Sequence, residues 1–208
     1  MDEGDDVKVT RRGLMPWPGR RRDARLLIVA TEDRYAAKQY LEALQERGLI
    51  DRSRVHIEVL PTTDTRSSPA QVLDRLVAFQ VDELGVLDRR WLVLDVDRWT
   101  PAMLGEVCRE AIRKDIGLAI SNPCIEAWFL LHFEEGVPEP PCQRSEELLR
   151  AILGGYDKTH IPAEAWTAER VARACQRGRE SDTGARWPAS AGSHMHRLLE
   201  AAGFRQAT

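Results

Sequence analysis

The sequence has little net charge and lacks the motifs typical of membrane, secreted and P-loop proteins. No apolar run is long enough to span a bilayer, and the first residues, MDEGDDVKVT, contain no apolar signal-peptide core. We therefore expect a cytoplasmic protein that makes no membrane contact. No G-x-x-x-x-G-K-[ST] motif occurs, so ATP binding by a P-loop is excluded. The net charge of -3 gives no overall attraction to nucleic acid, and any such contact must use a local patch.

Cysteine is scarce, and no C-x-x-C pair occurs among the four widely separated residues Cys108, Cys124, Cys142 and Cys175. This spacing is not typical of a zinc site, and a disulfide framework is not expected in the cytoplasm, so we expect reduced thiols. His194 and His196 are two positions apart and do not share a helix face, which argues against a metal chelate. His132 lies in a long apolar segment and is interpreted as a core histidine.

Short apolar runs alternate with helical patterns between residues 25 and 134. RLLIVA, RVHIEVL, WLVLDVD and IGLAIS each predict a buried strand, and a helical pattern follows each of them. Ser68 and Thr100 each precede a proline, which is typical of a helix start. Four strand–helix units in succession predict an α/β fold, with a mostly parallel sheet flanked by helices.

The two ends of the chain differ from this core. Residues 1–24 have acidic, Pro/Gly-rich and arginine-rich stretches and are interpreted as a basic N-terminal tail. The tail is either a solvated extension or an arm that binds RNA or single strands with Trp17 as a stacking ring. Residues 135–208 begin with a Pro-rich loop and then predict helices near 145–154, 163–178 and 191–203. We interpret them as a helical C-terminal extension of the same domain.

Acidic side chains follow three of the four predicted strands. Glu32 comes just after the first strand, and Asp95 and Asp97 close the third. Glu126 lies in the first turn of the helix after the fourth strand. Parallel strands all end on the same side of the sheet, so all of these acids lie along one edge. Ligands of such sheets bind beyond this edge, at the carboxyl ends of the strands. If their strands are neighbours, the carboxylates converge and require a cation or protonation. Oxygen ligands favour Mg²⁺ or Mn²⁺, and such a site suits phosphodiester chemistry.

Two of these acids also have a purely structural explanation. Glu32 and Glu126 lie near helix N-termini, where a carboxylate is favourable without any function. In SNPCIE, we expect Ser121 or Asn122 to cap the helix and Pro123 to occupy its first position. The apolar residues of EAWFLLHF cover most of the helix circumference, which predicts a buried helix that presents Glu126 to the crevice.

Four segments resemble one known family. AISNPCIEAWFLLHF is similar to a Ser-Asn-Pro-x-x-Glu-x-Trp signature, and WLVLDVDRW resembles an Asp-x-Asp strand. LLIVATEDRYAAKQYLEAL resembles an opening strand and helix, and GGYDKT is similar to a Tyr-x-Lys element. These are features of the RloB-like family, which has a Toprim-type α/β core and is associated with bacterial defence and restriction loci. The resemblance extends from about residue 25 to about residue 200.

The resemblance implies roles for the acids. Glu32 would act as general acid/base, and Asp95 and Asp97 would hold Mg²⁺ or Mn²⁺ together with Glu32. Glu126 would be part of the catalytic set, supporting or completing the metal shell.

The first motif departs from the family pattern, which reads Glu-Gly-x-x-Thr-Glu. Asp33 replaces the glycine, and Ala36 and Ala37 replace the Thr-Glu pair. The site could therefore hold one ion rather than two, or be weakened.

The implied function is a Mg²⁺-dependent endonuclease of anti-phage defence, with RNA, including tRNA, favoured over DNA as substrate. Arg98 and Lys158 are candidates for phosphate contact, with plain surface cations as the alternative. If the function requires ATP, a partner ATPase would supply that activity. The alternatives are a catalytically degraded binding subunit controlled by that ATPase, or a DNA-cutting restriction accessory protein. A receiver-like phosphoacceptor lacks its lysine and threonine at the strand ends. A homodimer is left open.

Overall fold

The computed structural model describes residues 24–62, 68–81, 85–134, 136–139 and 141–204. The predicted basic tail, Trp17 included, lies outside the described residues except for residue 24. Among the described residues, no helix is both long enough and apolar enough to cross a membrane.

The described residues form a sheet and a set of helices. The strands are β1 (Arg25–Thr31), β2 (Val55–Val59), β3 (Arg89–Asp95), β4 (Ile116–Asn122) and β5 (Gly192–Ser193). The helices are α1 (Ala36–Glu46), α2 (Pro69–Ala78), α3 (Pro101–Arg113), α4 (Ile125–Leu130), α5 (Cys142–Leu153), α6 (Ala168–Ser181) and α7 (Met195–Ala201), with a 3-10 turn at Ala163–Ala165.

The sheet has the strand order β2-β1-β3-β4-β5. Strands β1 to β4 are parallel, and the short β5 is antiparallel to β4. The predicted α/β class with a mostly parallel sheet is therefore confirmed. After β1, the chain adds β2 on one side of β1 and then crosses over to add β3 on the other side of β1. The carboxyl ends of β1 and β3 thus flank a topological switch point, where α/β proteins bind their ligands.

Each face of the sheet is covered by a separate hydrophobic layer. Helices α2 and α3 cover one face. Helices α1 and α4 to α7 cover the other, where the buried side chains include Trp128, Trp166 and Tyr40. The C-terminal helices thus share a core with α1 and α4; the boundary at residue 134 stays a prediction.

Local sequence explains several helix starts. Ser68 and Gln71 form a capping box at α2, in which each side chain is bound by the other residue's backbone N–H. The Thr100 side chain accepts a hydrogen bond from the Met103 backbone N–H at α3. Pro69 and Pro101 follow these caps, and both predicted helix starts are confirmed.

The predicted start of α4 is wrong. The N-cap is Cys124, and neither Ser121 nor Asn122 caps the helix. Both belong to β4, which continues further than predicted because its end pairs with β5. The Ser121 hydroxyl lies 2.9 Å from the Ser193 hydroxyl, and the Asn122 side-chain amide donates to the Pro188 carbonyl. A strand of two residues has no detectable sequence periodicity, so this pairing was not predicted.

Candidate active site

Strand order brings the predicted acids to one edge of the sheet. Glu32 directly follows β1, Asp95 ends β3, and Glu126 lies in the first turn of α4 after β4. Since β1, β3 and β4 are consecutive in the sheet, the condition set by the sequence, that the acid-bearing strands be neighbours, is met. The Glu32 backbone N–H donates to the Val93 carbonyl at 3.0 Å, which holds Glu32 beside the end of β3.

Glu32 is a buried carboxyl, only 6% exposed. Its Oε2 accepts hydrogen bonds from the Trp99 Nε1–H at 2.9 Å and from the Asp95 backbone N–H at 3.2 Å. Burial raises the pKa of Glu32 to about 7, although these two donors and the charge of Arg98 lower it. Near neutral pH, the carboxyl can therefore either take up or release a proton, as a general acid/base requires.

Asp95 and Asp97 extend this negative edge. Burial raises the pKa of Asp95 well above its usual value, and the charges of Glu32 and Glu126 raise it further. Asp97 is exposed, and its pKa is raised by desolvation against the lowering effect of Arg98. Neighbouring carboxylates repel one another and so disfavour ionisation, and a bound cation reduces this repulsion.

The arrangement of ligand atoms limits how a metal can bind. Within the described ranges, one group of three potential ligands has its atoms mutually within 4.8 Å: Cys124, Glu126 and Cys142. Glu32, Asp95 and Asp97 do not form such a group. An open Mg²⁺ site, in which the ion uses one or two carboxylates and completes its shell with water and phosphate, would not need all three. A single ion shared by all three stays a prediction.

Glu126 is fully buried and lies in a polar network. Its Oε1 accepts a hydrogen bond from the Tyr156 hydroxyl at 2.9 Å and lies 3.0 Å from the Lys158 Nζ. The Lys158 Nζ is also 2.9 Å from a carboxylate oxygen of Glu146 on α5. On the other side, the Cys142 Sγ lies 3.4 Å from Oε2. The Oε1 of Glu126 is therefore engaged by two protein partners, which favours a supporting role over direct metal ligation.

The Lys158 side chain is positioned by its own turn. Asp157 accepts from the backbone N–H and hydroxyl of Thr159. The Gln39 side chain donates to the Lys158 carbonyl at 2.9 Å and accepts from the Ile161 backbone N–H at 3.0 Å. A phosphate that approached Lys158 would compete with two carboxylates, so Lys158 serves first as their counterion. Its phosphate contact stays a prediction, as does that of the exposed Arg98.

Asp33 also belongs to the site, although the sequence marked it only as a departure from a motif. Its carboxylate accepts from the Ala37 backbone N–H, with its two oxygens at 2.9 and 3.1 Å, and so binds the first turn of α1. Burial raises the pKa of Asp33 to about 6; the charge of Glu126 adds to the rise, and that of Lys158 opposes it. Trp99 and Glu146 were missed as well, because no motif or periodicity distinguishes them from ordinary surface residues.

Three of the histidines contact groups outside the set of predicted acids. His132 is fully buried, with Nε2 3.0 Å from the Tyr40 hydroxyl and Nδ1 3.0 Å from the Trp128 carbonyl. Burial lowers its pKa to about 3, so the ring is neutral and its interpretation as a core histidine is confirmed. His194 and His196 both approach Asp182, at 3.5 and 3.2 Å.

The carboxylate of Asp182 is already engaged by Arg197, whose Nε donates to it at 2.7 Å. The cluster is therefore a structural clamp between the end of α6 and the start of α7. It does not appear as a metal-ligand group in the part of the chain that the structure describes.

The expectation that all thiols are reduced is wrong for this structure. Cys124 and Cys142 form a disulfide with a Cα–Cα distance of 5.9 Å, whereas Cys108 and Cys175 are free and buried. The paired cysteines are 18 positions apart in sequence. They meet because α4 and α5 pack with their N-terminal ends together, which cysteine spacing alone does not reveal.

Comparison with known proteins gives one match. The family model described as RloB-like protein matches residues 27–201, which is most of the chain. No curated protein matches the sequence. No solved structure matches it.

Proposed function

Because this chain belongs to the RloB-like protein family, we propose that it is a metal-dependent, Toprim-type nuclease that hydrolyses phosphodiesters in anti-phage defence. The observation that carries this proposal is Glu32. It is a buried carboxyl with a pKa of about 7, hydrogen-bonded to the backbone of Asp95 at the switch point of a parallel sheet. A poised acid/base beside further carboxylates is the arrangement that metal-assisted phosphodiester cleavage requires.

Each residue has a distinct task in this proposal. Asp95 and Asp97 would hold Mg²⁺ or Mn²⁺ together with Glu32. The ion would polarise the phosphoryl oxygen and lower the pKa of a bound water. Glu32 exchanges a proton with the attacking or leaving oxygen, while Trp99 and the Asp95 backbone N–H keep its carboxyl oriented. Arg98 follows the Asp-x-Asp strand and is exposed, where it can contact a phosphate oxygen.

The proposed substrate is RNA, including tRNA, in preference to DNA. This preference rests on the family resemblance, since the net charge of -3 favours neither nucleic acid. The lack of a P-loop motif in the sequence supports a partner ATPase as the source of any nucleotide control.

A second candidate function is a binding or effector subunit with a degraded site, controlled by the same ATPase. It is favoured by one observation: among the residues described, the three predicted metal-binding carboxylates do not form a compact ligand group. A third candidate, a DNA-cutting restriction accessory protein, differs from the proposed RNA nuclease only in its substrate.

The test is cleavage of total tRNA and of plasmid DNA by the purified protein, with Mg²⁺, with Mn²⁺ and with EDTA. We expect metal-dependent cleavage of tRNA that falls by about 10²-fold or more in Glu32→Gln, since general acid/base groups contribute about that factor. Asp95→Asn should abolish metal-dependent cleavage. Glu42→Gln is the matched control, because Glu42 lies on the surface of α1 and pairs only with Lys38 in the described structure.

Cleavage that survives EDTA, or that is unchanged in both site variants, would reject the nuclease. Absence of cleavage of either substrate, together with no Mg²⁺ binding by calorimetry, would favour the degraded, partner-controlled subunit. Preferential cutting of the plasmid would favour the restriction accessory protein.

A further inference from the structure

Two cysteines flank the carboxylate of Glu126. Cys124 is the N-cap residue of α4, and Cys142 is the first residue of α5. They are joined in the structure, and both are buried, with exposed fractions of 2% and 7%. A disulfide in a protein expected in the cytoplasm is unusual, and such bonds are generally transient and catalytic or redox-sensing.

We propose that Cys124 and Cys142 form a reversible thiol–disulfide pair. Oxidation of this pair alters the acidic site, the carboxyl groups at the ends of the strands, through Glu126 and α5. Its effect on catalysis rests on the proposed nuclease function; its chemistry does not. The oxidant is a small-molecule disulfide such as oxidised glutathione. The thiolate of Cys142, the more exposed of the two, attacks one sulfur of that disulfide, and a thiol leaves. Cys124 then attacks the mixed disulfide and releases the second thiol, so that one disulfide is consumed and one is formed.

Oxidation changes the polar partners of Glu126. In the dithiol form, the Cys142 S–H can donate to Glu126 Oε2 across the observed 3.4 Å. In the disulfide, neither sulfur carries a hydrogen, and the same contact has no donor. Glu126 then depends on Tyr156 and Lys158, which both act on Oε1. A buried carboxylate that loses a donor on one oxygen is less well stabilised.

Oxidation also changes how α5 is attached. The bond joins the start of α5 directly to the start of α4, across a connection that includes a Pro-rich stretch. Helix α5 carries Glu146, which pairs with Lys158, and Lys158 in turn pairs with Glu126. The disulfide therefore fixes the helix that positions the counterion of the acidic site, and reduction leaves that helix held by packing and by the Glu146–Lys158 ion pair.

The other two cysteines serve as internal controls. Burial raises the pKa of the Cys108 thiol to about 11 and that of the Cys175 thiol to about 12. The thiolate is the reactive form, so these residues should react slowly and form no disulfide.

The experiment equilibrates the full-length protein with dithiothreitol or with oxidised glutathione and maps thiols by differential alkylation and mass spectrometry. We expect a linked Cys124–Cys142 peptide pair in oxidant, which dithiothreitol converts to two alkylated thiols. The oxidised protein should melt roughly 5–10 °C higher, because closing a loop of this length constrains the unfolded chain. This shift between redox states should vanish in Cys124→Ala and in Cys142→Ala, and persist in Cys108→Ala.

Three results would overturn the proposal: two free thiols at Cys124 and Cys142 in oxidant, a linkage that resists dithiothreitol, or stoichiometric zinc on the reduced protein that Cys142→Ala removes. None of these measurements uses nuclease activity, so they can succeed even if the proposed function fails. If tRNA is cleaved, we expect the rate to differ roughly threefold to tenfold between redox states, the range for one ordinary hydrogen bond, since a thiol is a weak donor. Equal rates would remove the link to the active site.

Discussion

Replacing Lys158 by methionine tests whether this residue is mainly the counterion of buried Glu126. Methionine keeps the length and apolar stem of the side chain but removes the ammonium group. The variant leaves the Glu126 carboxylate, which is 0% exposed, with the Tyr156 hydroxyl as its hydrogen-bond donor on Oε1. Glu146, on α5, loses the same cation.

The expected cost follows from the burial of the two partners. Breaking a buried ion pair by removing one partner costs about 3–5 kcal/mol, because a charge is left uncompensated. An exposed pair is worth about 0–1 kcal/mol. The Lys158 side chain is 47% exposed, so water partly replaces it, and we expect a loss of about 2 kcal/mol in the free energy of unfolding.

The measurement is urea unfolding followed by circular dichroism, with linear extrapolation to water. Lys38→Met is the matched control, because Lys38 pairs with Glu42 across 3.8 Å on the surface of α1, and about half of each side chain is exposed. We expect this control to lose no more than about 0.5 kcal/mol. The double variant Lys158→Met/Glu126→Gln should regain much of the loss, since the unpaired buried charge is removed.

The reasoning would be refuted if Lys158→Met were no less stable than Lys38→Met. It would be refuted as well if the double variant were less stable than Lys158→Met, because the loss could not then come from an unpaired Glu126 carboxylate. In that case, Lys158 would be available for the phosphate contact that the sequence suggested.

Two further predictions concern the acidic edge and the sheet. The folded-state pKa of Glu32, about 7, is above its ordinary value of 4.5. Between these pH values, the folded protein therefore binds more protons than the unfolded chain. The free energy of unfolding should consequently fall as the pH rises through this window. Glu32 should contribute up to about 3 kcal/mol of this fall. The fall should therefore be smaller in Glu32→Gln, where the raised pKa of Asp33 still contributes, and it should be reduced by Mg²⁺. Urea unfolding at pH 4.5, 6 and 8 measures it, and a stability of the unsubstituted protein that rises across this window contradicts the sign. Gly117→Ala should cost about 1–3 kcal/mol, because the added Cβ would lie 2.6 Å from ring atoms of Trp91, with which Gly117 is paired across β3 and β4. Gly136→Ala, whose Cβ would meet nothing within 4 Å, is the control, and equal thermal stability of the two variants would disprove the packing argument.

The sequence by itself determined the class of fold and the edge of the sheet where the acids lie. Apolar runs of strand length, each followed by a helical pattern, are local properties, and the four parallel strands of the structure follow from them. Glu32, Asp95 and Glu126 were assigned to one edge because parallel strands all end on the same side. His132 was correctly assigned to the core, since its surroundings in EAWFLLHF are apolar all around the helix.

Only the tertiary structure decided what each acidic side chain contacts. Tyr156 and Lys158 reach Glu126 from about 30 residues away, and Cys142 reaches Cys124 across 18. These contacts depend on how α5 and the turn that follows it pack over the end of β4. Hydrophobic periodicity specifies which face of an element is buried, but not which distant side chain lies against that face. The supporting role of Glu126, the ion pairs of Lys158 and the cysteine pair are all contacts of this kind.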